Sequence, residues 1–172
     1  GFTRSGGLVN ITGILNNTGQ VLDIDNAGVF STGGLNNVSG TITGGTIVSS
    51  AGRALTASSN PTLSGVTLGD ATRPNLTVNG GLFVTNGITL ASGATVTKDS
   101  GIWYWNGTGT QTLAVAGGGT ATLISAGGYH YAGYSATGQT LQFAAGLTQQ
   151  GNISIYDNNA ANVVNLGTLR QS

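Results

Sequence analysis

The chain has 172 residues, enough for one domain with its own core, but only 6% of them are charged and the formal net charge is zero. It contains 31 Gly and neither Cys nor Met. The neutral balance excludes the basic footprint of a nucleic-acid-binding protein, the missing Cys excludes disulfides and Cys-based zinc sites, and the scarcity of charge excludes a mostly helical fold with a solvated surface.

Apolar residues recur at a nearly constant spacing through the first hundred residues. Leu-Asn-Asn occurs at 15–17 and again at 35–37, and three apolar series advance in steps of 19 to 21 residues. The series are Leu15, Leu35, Leu55, Leu76, Val96; Val21, Ile42, Leu63, Val84; and Val29, Val48, Leu68, Ile88. A fixed period of this length is typical of a solenoid, in which like residues of successive coils stack inside. We predict a parallel β-helix with about eight coils of about 20 residues.

A finer repeat runs through residues 75–98, where an apolar-x-apolar unit returns every six residues and Gly81, Gly87 and Gly93 open three of the units. A beat of six residues also suits a left-handed β-helix, whereas the 20-residue period favours the right-handed form. A β-sandwich is the other alternative, because it too is built from many short strands. A sandwich does not account for the fixed period.

Beyond residue 100 the spacing loosens. Strands are predicted at 112–115, 120–124, 140–143, 152–156 and 163–166. No linker rich in Pro or charge divides the chain. We therefore predict a single domain over 1–172, with regular coils over 8–100 and less regular, aromatic-containing coils over 101–172.

The segments NLTVNGGLFVTNGITLASGATVT (75–97) and TITGGTIVSSAG (41–52) resemble the β-strand-repeat passengers of secreted bacterial proteins, of the filamentous-haemagglutinin and autotransporter types. The resemblance covers residues 8–100 best. It implies a right-handed β-helix, an extracellular or cell-surface location, and a role in adhesion, biofilm or fibre formation. It brings no active-site residue with it.

Two acids offer candidate chemistry. Asp23 and Asp25 alternate along one strand, so both should face the same side, which we predict to be the solvent side. Paired carboxylates could serve glycoside hydrolysis, and the Asp-x-Asp pattern is faintly similar to a calcium loop. However, the loop positions that should supply further ligands hold Ala27 and Gly34. We predict no catalytic residue, no metal and no cofactor.

Aromatic residues concentrate in the second half of the chain. In a strand, Trp103 and Trp105 share one face and Tyr104 takes the other. Facing inward, the Trp pair would fill a widened coil; facing outward, it could stack on sugars or anchor a partner. His130 is the only His, so the chain has no His-based metal cluster. The candidate partner or sugar contacts are Trp103, Trp105, Tyr129, Tyr131 and Tyr134.

Two functions remain open at this point. The first is a structural or adhesive segment of a surface fibre, not an enzyme, which associates head to tail with copies of itself because the sequence carries no amphipathic cap at 1–7 or 165–172. The second is a β-helix that binds or degrades polysaccharides, with host or matrix glycans as partners. No apolar run is long enough to span a membrane.

Overall fold

The computed structural model describes residues 7–26 and 28–171, and over these the chain winds through parallel strands stacked coil upon coil. Every strand pairing in the described residues is parallel. A β-sandwich is built from antiparallel sheets, so that alternative is wrong. The predicted all-β parallel solenoid is confirmed; its right hand stays a prediction.

The strands are short, and apart from one 3-10 turn at Ala116–Gly118 they are joined by turns and loops. In chain order they are β1 (Val9–Ile11), β2 (Ile14–Asn16), β3 (Val21–Asp23), β4 (Leu35–Val38), β5 (Thr41–Thr43), β6 (Thr46–Val48), β7 (Leu55–Thr56), β8 (Thr62–Leu68), β9 (Asn75–Asn79), β10 (Leu82–Leu90), β11 (Thr95–Lys98), β12 (Trp103–Trp105), β13 (Thr110–Val115), β14 (Ala121–Ser125), β15 (His130–Ala132), β16 (Thr140–Phe143), β17 (Leu147–Gly151), β18 (Ile155–Asp157), β19 (Asn162–Asn165) and β20 (Thr168–Arg170).

The strands form three columns, one for each side of the coil. The first column stacks β7, β9, β11, β14, β17 and β20, with β1 and β4 paired at its start. The second runs from β2 and β5 through the first halves of β8 and β10 to β12, β15 and β18, and the third from β3 and β6 through the second halves of β8 and β10 to β13, β16 and β19. Strand β10 bends between the two columns at Asn86 and Gly87, whose φ angles of 57° and 74° lie in the left-handed region.

The coils are longer than predicted. Successive coils lie about 25 residues apart, and the chain makes about six turns rather than eight. The 20-residue period belongs to the middle of the chain, where Thr41 pairs with Thr62 and Asn75 with Thr95. Elsewhere the turns between columns lengthen, so that Thr110 pairs with Thr140. Turn insertions leave the stacking intact because they lie outside the paired strands.

The register preserves part of the predicted apolar series. Leu63 lies between Ile42 and Val84 inside the second column, and all three are buried. Leu76 lies beside Val96 in the first column, and both are buried. The other members of the series that are buried are Leu35, Leu55, Val48, Leu68 and Ile88.

Other steps of the series are wrong. Leu15 pairs with Ile42 rather than stacking on Leu35, because the first described coil is longer than 20 residues. Leu68 pairs with Ile47 and Leu90, so it does not continue from Val48 to Ile88. Two predicted core residues, Val21 and Val29, are about half exposed, at 50% and 54%. Strand alternation turns Val21 outward and Leu22 inward, and Val29 lies in the loop between β3 and β4.

The described residues contain no helix that is long and apolar enough to cross a membrane. The region predicted to lack an N-terminal cap, 1–7, falls outside the described residues except for Gly7, and so does Ser172 at the other end. Residues 165–171 hold the end of β19 and strand β20, with no helix.

Candidate binding surface

Strand β12 divides its aromatic residues between the inside and the outside of the coil. Trp103 and Trp105 are fully buried, while Tyr104 between them points outward and is half-buried. The two indoles therefore cannot reach a sugar or a partner, and the prediction of such a contact for this pair is wrong. Their inward direction follows from the register, because Trp103 and Trp105 stack on the buried Leu82 and Val84.

Inside the coil the two indoles pack around His130. The Nε1–H of Trp105 donates a hydrogen bond to Nδ1 of His130 at 3.2 Å. The rings of Trp103 and Phe143 lie edge-on to the imidazole, with centroids 5.7 and 5.6 Å away. Burial, reinforced by the charge of Lys98, lowers the pKa of His130 to about 3. His130 is therefore a neutral interior residue that shapes the coil beneath the surface aromatics.

On the outside, four aromatic residues line up across four coils of the second column. Phe83 pairs with Tyr104, Tyr104 with Tyr131, and Tyr131 with Tyr156. In β10, β12 and β15 this residue lies between two buried neighbours, and Tyr156 takes the same position in β18 through its pairing with Tyr131. At the interstrand spacing of about 4.8 Å, this aromatic column spans on the order of 15 Å along the solenoid.

Two further tyrosines widen the column into an aromatic surface, which we define as Phe83, Tyr104, Tyr129, Tyr131, Tyr134 and Tyr156. Tyr134 reaches across from the turn after β15, with its ring centroid 4.8 Å from Tyr104 and 5.3 Å from Phe83. Tyr129 lies 4.5 Å from Tyr156. Tyr134 and Tyr156 are the most exposed members, at 43% and 58%. The predicted candidates Tyr129, Tyr131 and Tyr134 thus come together, and their contact role stays a prediction.

The aromatic surface is nearly free of charge. Between residues 74 and 169 the sequence holds only Lys98, Asp99 and Asp157 as charged residues. Lys98 is buried, so no exposed cation accompanies the rings in this part of the chain. Burial, together with the neighbouring Tyr129, Tyr134 and Tyr131, raises the pKa of Tyr104. The Tyr104 phenol is therefore a neutral hydrogen-bonding group at pH 7.

Lys98 is a buried cation that the sequence analysis did not single out. Lys98 is the last residue of strand β11, and its side chain is buried inside the coil. It is paired with Val78 of the preceding coil and Ser125 of the following coil. Its ammonium donates a hydrogen bond to the carbonyl of Gly127 in the turn after β14. Burial lowers its pKa to about 8. The sequence does contain a sign of this burial: in Thr95–Lys98 the inward positions alternate with outward ones, and Lys98 follows Val96 at the next inward position.

The two candidate acids are buried rather than solvent-facing, so the predicted orientation is wrong. Asp23 and Asp25 are 8% and 5% exposed. The hydroxyl of Ser50 and, at 3.2 Å, NH1 of Arg73 donate to Asp23. Burial opposes ionisation of Asp23, but the hydrogen bonds and the Arg73 charge outweigh it and lower the pKa of this carboxyl. The Asp23 carboxylate therefore interacts with side chains of later coils.

Asp25 is held in a similar way. It accepts hydrogen bonds from the hydroxyl of Ser49 and from the backbone N–H of Ala51, and Nε of Arg53 lies 3.6 Å away. These partners are on the next coil, so the network ties the loop after β3 to the loop after β6. Among the described residues, no group of three or more His, Cys, Asp or Glu side chains could hold a metal ion.

The aromatic column itself is the feature that sequence reasoning missed. Phe83 and Tyr156 were not among the candidates, because the steps from Phe83 to Tyr104, Tyr131 and Tyr156 vary from 21 to 27 residues. The signal that could have found part of it is that Phe83 and Tyr104 each lie between two apolar residues, as the outward residue of a strand does.

Comparisons with known proteins give no relative for this chain. No family model, no curated protein and no solved structure matches it. The fold and the aromatic surface are therefore the basis for inferring a role: a parallel β-solenoid that displays a neutral aromatic strip along one side.

Proposed function

We propose that this protein is a structural and adhesive solenoid of the cell surface or extracellular space, which adheres to neutral glycan chains through the aromatic surface. The observation that carries the proposal is the aromatic column, in which Phe83, Tyr104, Tyr131 and Tyr156 occupy the same outward position on successive coils. The extracellular setting is supported by the resemblance of residues 8–100 to secreted β-strand-repeat adhesins.

The chemistry of the surface favours sugars over charged partners. Aromatic rings pack against the C–H faces of sugars, and phenol hydroxyls donate to and accept from sugar hydroxyls. The lack of exposed Lys or Arg nearby gives an acidic partner no counter-charge. A polymer with a repeating unit also suits a surface whose own residues repeat at the coil spacing, because several units can bind at once.

The rigidity of the solenoid suits adhesion. Tyr104 and Tyr131 stand on strands whose inward neighbours, Trp103, Trp105 and His130, are buried. A preformed surface loses little conformational freedom on binding. The acids that could have suggested hydrolysis, Asp23 and Asp25, lie near the start of the described solenoid and are engaged by Arg and Ser partners. The proposal is therefore binding rather than catalysis.

Pull-down with insoluble neutral polysaccharides, together with titration against soluble oligosaccharides, tests the proposal. We expect retention on at least one neutral polysaccharide and weak salt dependence, because the contacts are uncharged. Replacing two rings, Tyr104→Thr and Tyr131→Thr, should weaken binding at least about tenfold, or about 1.4 kcal/mol. Thr is chosen because outward positions of other coils, such as Thr97, already carry it.

Thr97→Ala on the first column is the matched control and should bind like the unmodified chain. Failure to retain any neutral polysaccharide, or full binding by the double Tyr variant, would contradict the proposal. Thermal melts of each variant distinguish a lost contact from a lost fold.

A second role, as a subunit of a fibre, is favoured by a different observation. Apart from Tyr134, the exposed large apolar side chains of the described residues lie in the first and last coils: Leu8, Ile14, Val21, Val29, Tyr156, Val163, Leu166 and Leu169. Within the described residues, strands β2 and β3 at one end, and β18, β19 and β20 at the other, have a paired neighbour on one side only. A second copy of the chain could continue the stack at either end, and repetition of such a contact builds a filament.

Sedimentation and electron microscopy of the purified chain test this second role. We expect elongated oligomers whose population rises with concentration. Ile14→Lys together with Leu166→Lys would place like charges at both ends and should give monomers, whereas Thr97→Lys on the side of the solenoid should not. A chain that stays monomeric at high concentration would exclude end-to-end assembly.

A further inference from the structure

All five tyrosines of the sequence belong to one contact network on the aromatic surface. Tyr104, Tyr131 and Tyr134 form a triangle with ring centroids 4.8 to 5.8 Å apart. Tyr131 continues to Tyr129 at 6.2 Å, and Tyr129 to Tyr156 at 4.5 Å. An electron removed from any one of these phenols can therefore be replaced from a neighbouring ring without crossing the protein.

Tyr129 and Tyr156 are the closest pair of tyrosine rings. Their centroids lie 4.5 Å apart and their planes are inclined by 53°. At this separation the two rings are in van der Waals contact, so radicals formed on both rings can couple after a small movement of the side chains. The other tyrosine pairs are farther apart, at 4.8 Å or more.

The composition directs oxidation to these rings. The chain has no Cys and no Met, which are the residues that peroxides otherwise oxidise first. Both Trp are fully buried. Among the described residues, Tyr156 is the most exposed aromatic ring, at 58%. A one-electron oxidant at this surface therefore reacts with tyrosine side chains.

We propose that Tyr129 and Tyr156 form an intrachain dityrosine cross-link when the protein meets a haem peroxidase and hydrogen peroxide. Each phenol loses one electron to the peroxidase and its hydroxyl proton to solvent, giving two phenoxyl radicals. The radicals couple between ring carbons ortho to the oxygens, and the two ortho hydrogens leave as protons while the oxygens are reprotonated. The net change is the loss of two hydrogens from the protein and the reduction of one hydrogen peroxide to two waters.

The cross-link joins two coils of the solenoid. Tyr129 precedes β15 and Tyr156 lies in β18, which is the next strand of the same column. A covalent bond there closes a loop of chain between the two coils and limits the unfolded ensemble in the way that a disulfide does. In a chain without Cys, it would hold the last described coils to the rest. The inference rests on the contact between the two rings, so it is independent of whether the protein binds glycans.

Treatment of the purified chain with horseradish peroxidase and a small excess of hydrogen peroxide tests the proposal. The protein is then denatured and digested with trypsin, which cuts after Lys98 and Arg170 and leaves all five tyrosines on one fragment. We expect this fragment to lose two hydrogens, to acquire dityrosine fluorescence, and to yield on peptic digestion one linked pair of peptides that contains Tyr129 and Tyr156. The melting temperature of the oxidised monomer should rise.

Tyr→Phe variants keep the rings and remove the phenols. Tyr129→Phe and Tyr156→Phe should each abolish the linked pair, while Tyr104→Phe, the matched control, should retain it. Circular dichroism melts before oxidation show whether each variant keeps the fold. A link that maps to another pair, a product made only of covalent dimers, or an unchanged fragment under conditions that couple free tyrosine would overturn the proposal. Because these variants keep the rings, glycan binding tested on them reports on the adhesive role separately.

Discussion

Trp105 donates its indole N–H to Nδ1 of His130 across 3.2 Å inside the solenoid, on the strand next to its own. The acceptor must be unprotonated for this bond to exist, so the neutral imidazole carries its proton on Nε2. Nε2 has no hydrogen-bond partner among the described residues. Protonation of Nδ1 would break the bond and place a charge between two indoles and Phe143. The packing beneath the aromatic surface therefore depends on a neutral His130.

This relationship predicts that stability falls on mild acidification. The pKa of His130 is about 3 in the folded chain against 6.5 when unfolded, so below about 6.5 the unfolded state binds a proton that the folded state does not. The stabilising contribution is fully present above 6.5 and is lost as the pH falls towards 3. Each pH unit within this window costs about 1.4 kcal/mol. Urea titrations at pH 7 and 4.5 measure the change in unfolding free energy.

His130→Gln is the variant that isolates the effect. The sequence has one His, so the variant should lose most of the dependence between pH 4.5 and 7. Thr97→Ala should keep the dependence of the unmodified chain. An equal slope in His130→Gln would show that another group causes it.

The buried Lys98 predicts how the stability of the chain changes at alkaline pH. Its pKa is lowered from 10.5 to about 8, so stability should rise between pH 8 and 10.5, where the unfolded chain holds a proton that the folded chain has released. Keeping the charge inside at pH 7 costs about 3 kcal/mol, against about 2 kcal/mol for the bond to the Gly127 carbonyl. Lys98→Met should therefore be about 1 kcal/mol more stable at pH 7, as measured by urea denaturation.

Arg170→Met, at an exposed cation, is the control for Lys98→Met and should change stability by less than about 0.5 kcal/mol. The unmodified chain should gain stability between pH 7 and 9.5, and Lys98→Met should not. A destabilised Lys98→Met that keeps the alkaline rise would refute this account of Lys98.

The hydrogen bonds of Asp23 predict that removing its carboxylate lowers the unfolding free energy at neutral pH but not in acid. Asp23→Asn removes the carboxylate that accepts from the Ser50 hydroxyl and from NH1 of Arg73, while Arg73 keeps its ion pair with Asp70. The loss of these two charge-assisted hydrogen bonds should destabilise the chain by about 2 kcal/mol at pH 7. The folded pKa of Asp23 is lowered, so its contribution is complete above about 3.8 and disappears as the pH falls through the folded value. Chemical denaturation at pH 7 and 2.5 should show the difference from the unmodified chain shrink. Asp99→Asn, at an exposed turn, should change little at either pH.

The sequence predicts the fold class because ladders of apolar residues are local evidence of stacking. Where turns are short, residues that repeat at a constant interval in sequence also stack on one another in the structure, as Ile42, Leu63 and Val84 do. Register fails where turn length varies, as after Asn16, because a turn insertion shifts sequence position without shifting the stack. Strand β20 and the inward Lys98 gave weak local patterns and were missed.

The aromatic surface was only half predictable. Tyr129, Tyr131 and Tyr134 are close in sequence, so local pattern brought them together. Phe83 and Tyr156 join them only through pairing across coils of unequal length. The burial of Asp23 had the same origin, since its partners Ser50 and Arg73 come from later coils.

Two members of one predicted apolar series provide a direct test of the register. Leu63 is 1% exposed between Ile42 and Val84, whereas Val21 is 50% exposed on the outward side of β3. Leu63→Ala should cost about 2–5 kcal/mol, because it leaves a cavity in a stacked row. Val21→Ala should cost less than about 0.5 kcal/mol. Urea denaturation measures both losses. Equal losses would mean that Val21 lies inside the coil, as the predicted 20-residue register requires, instead of on the outward side of β3.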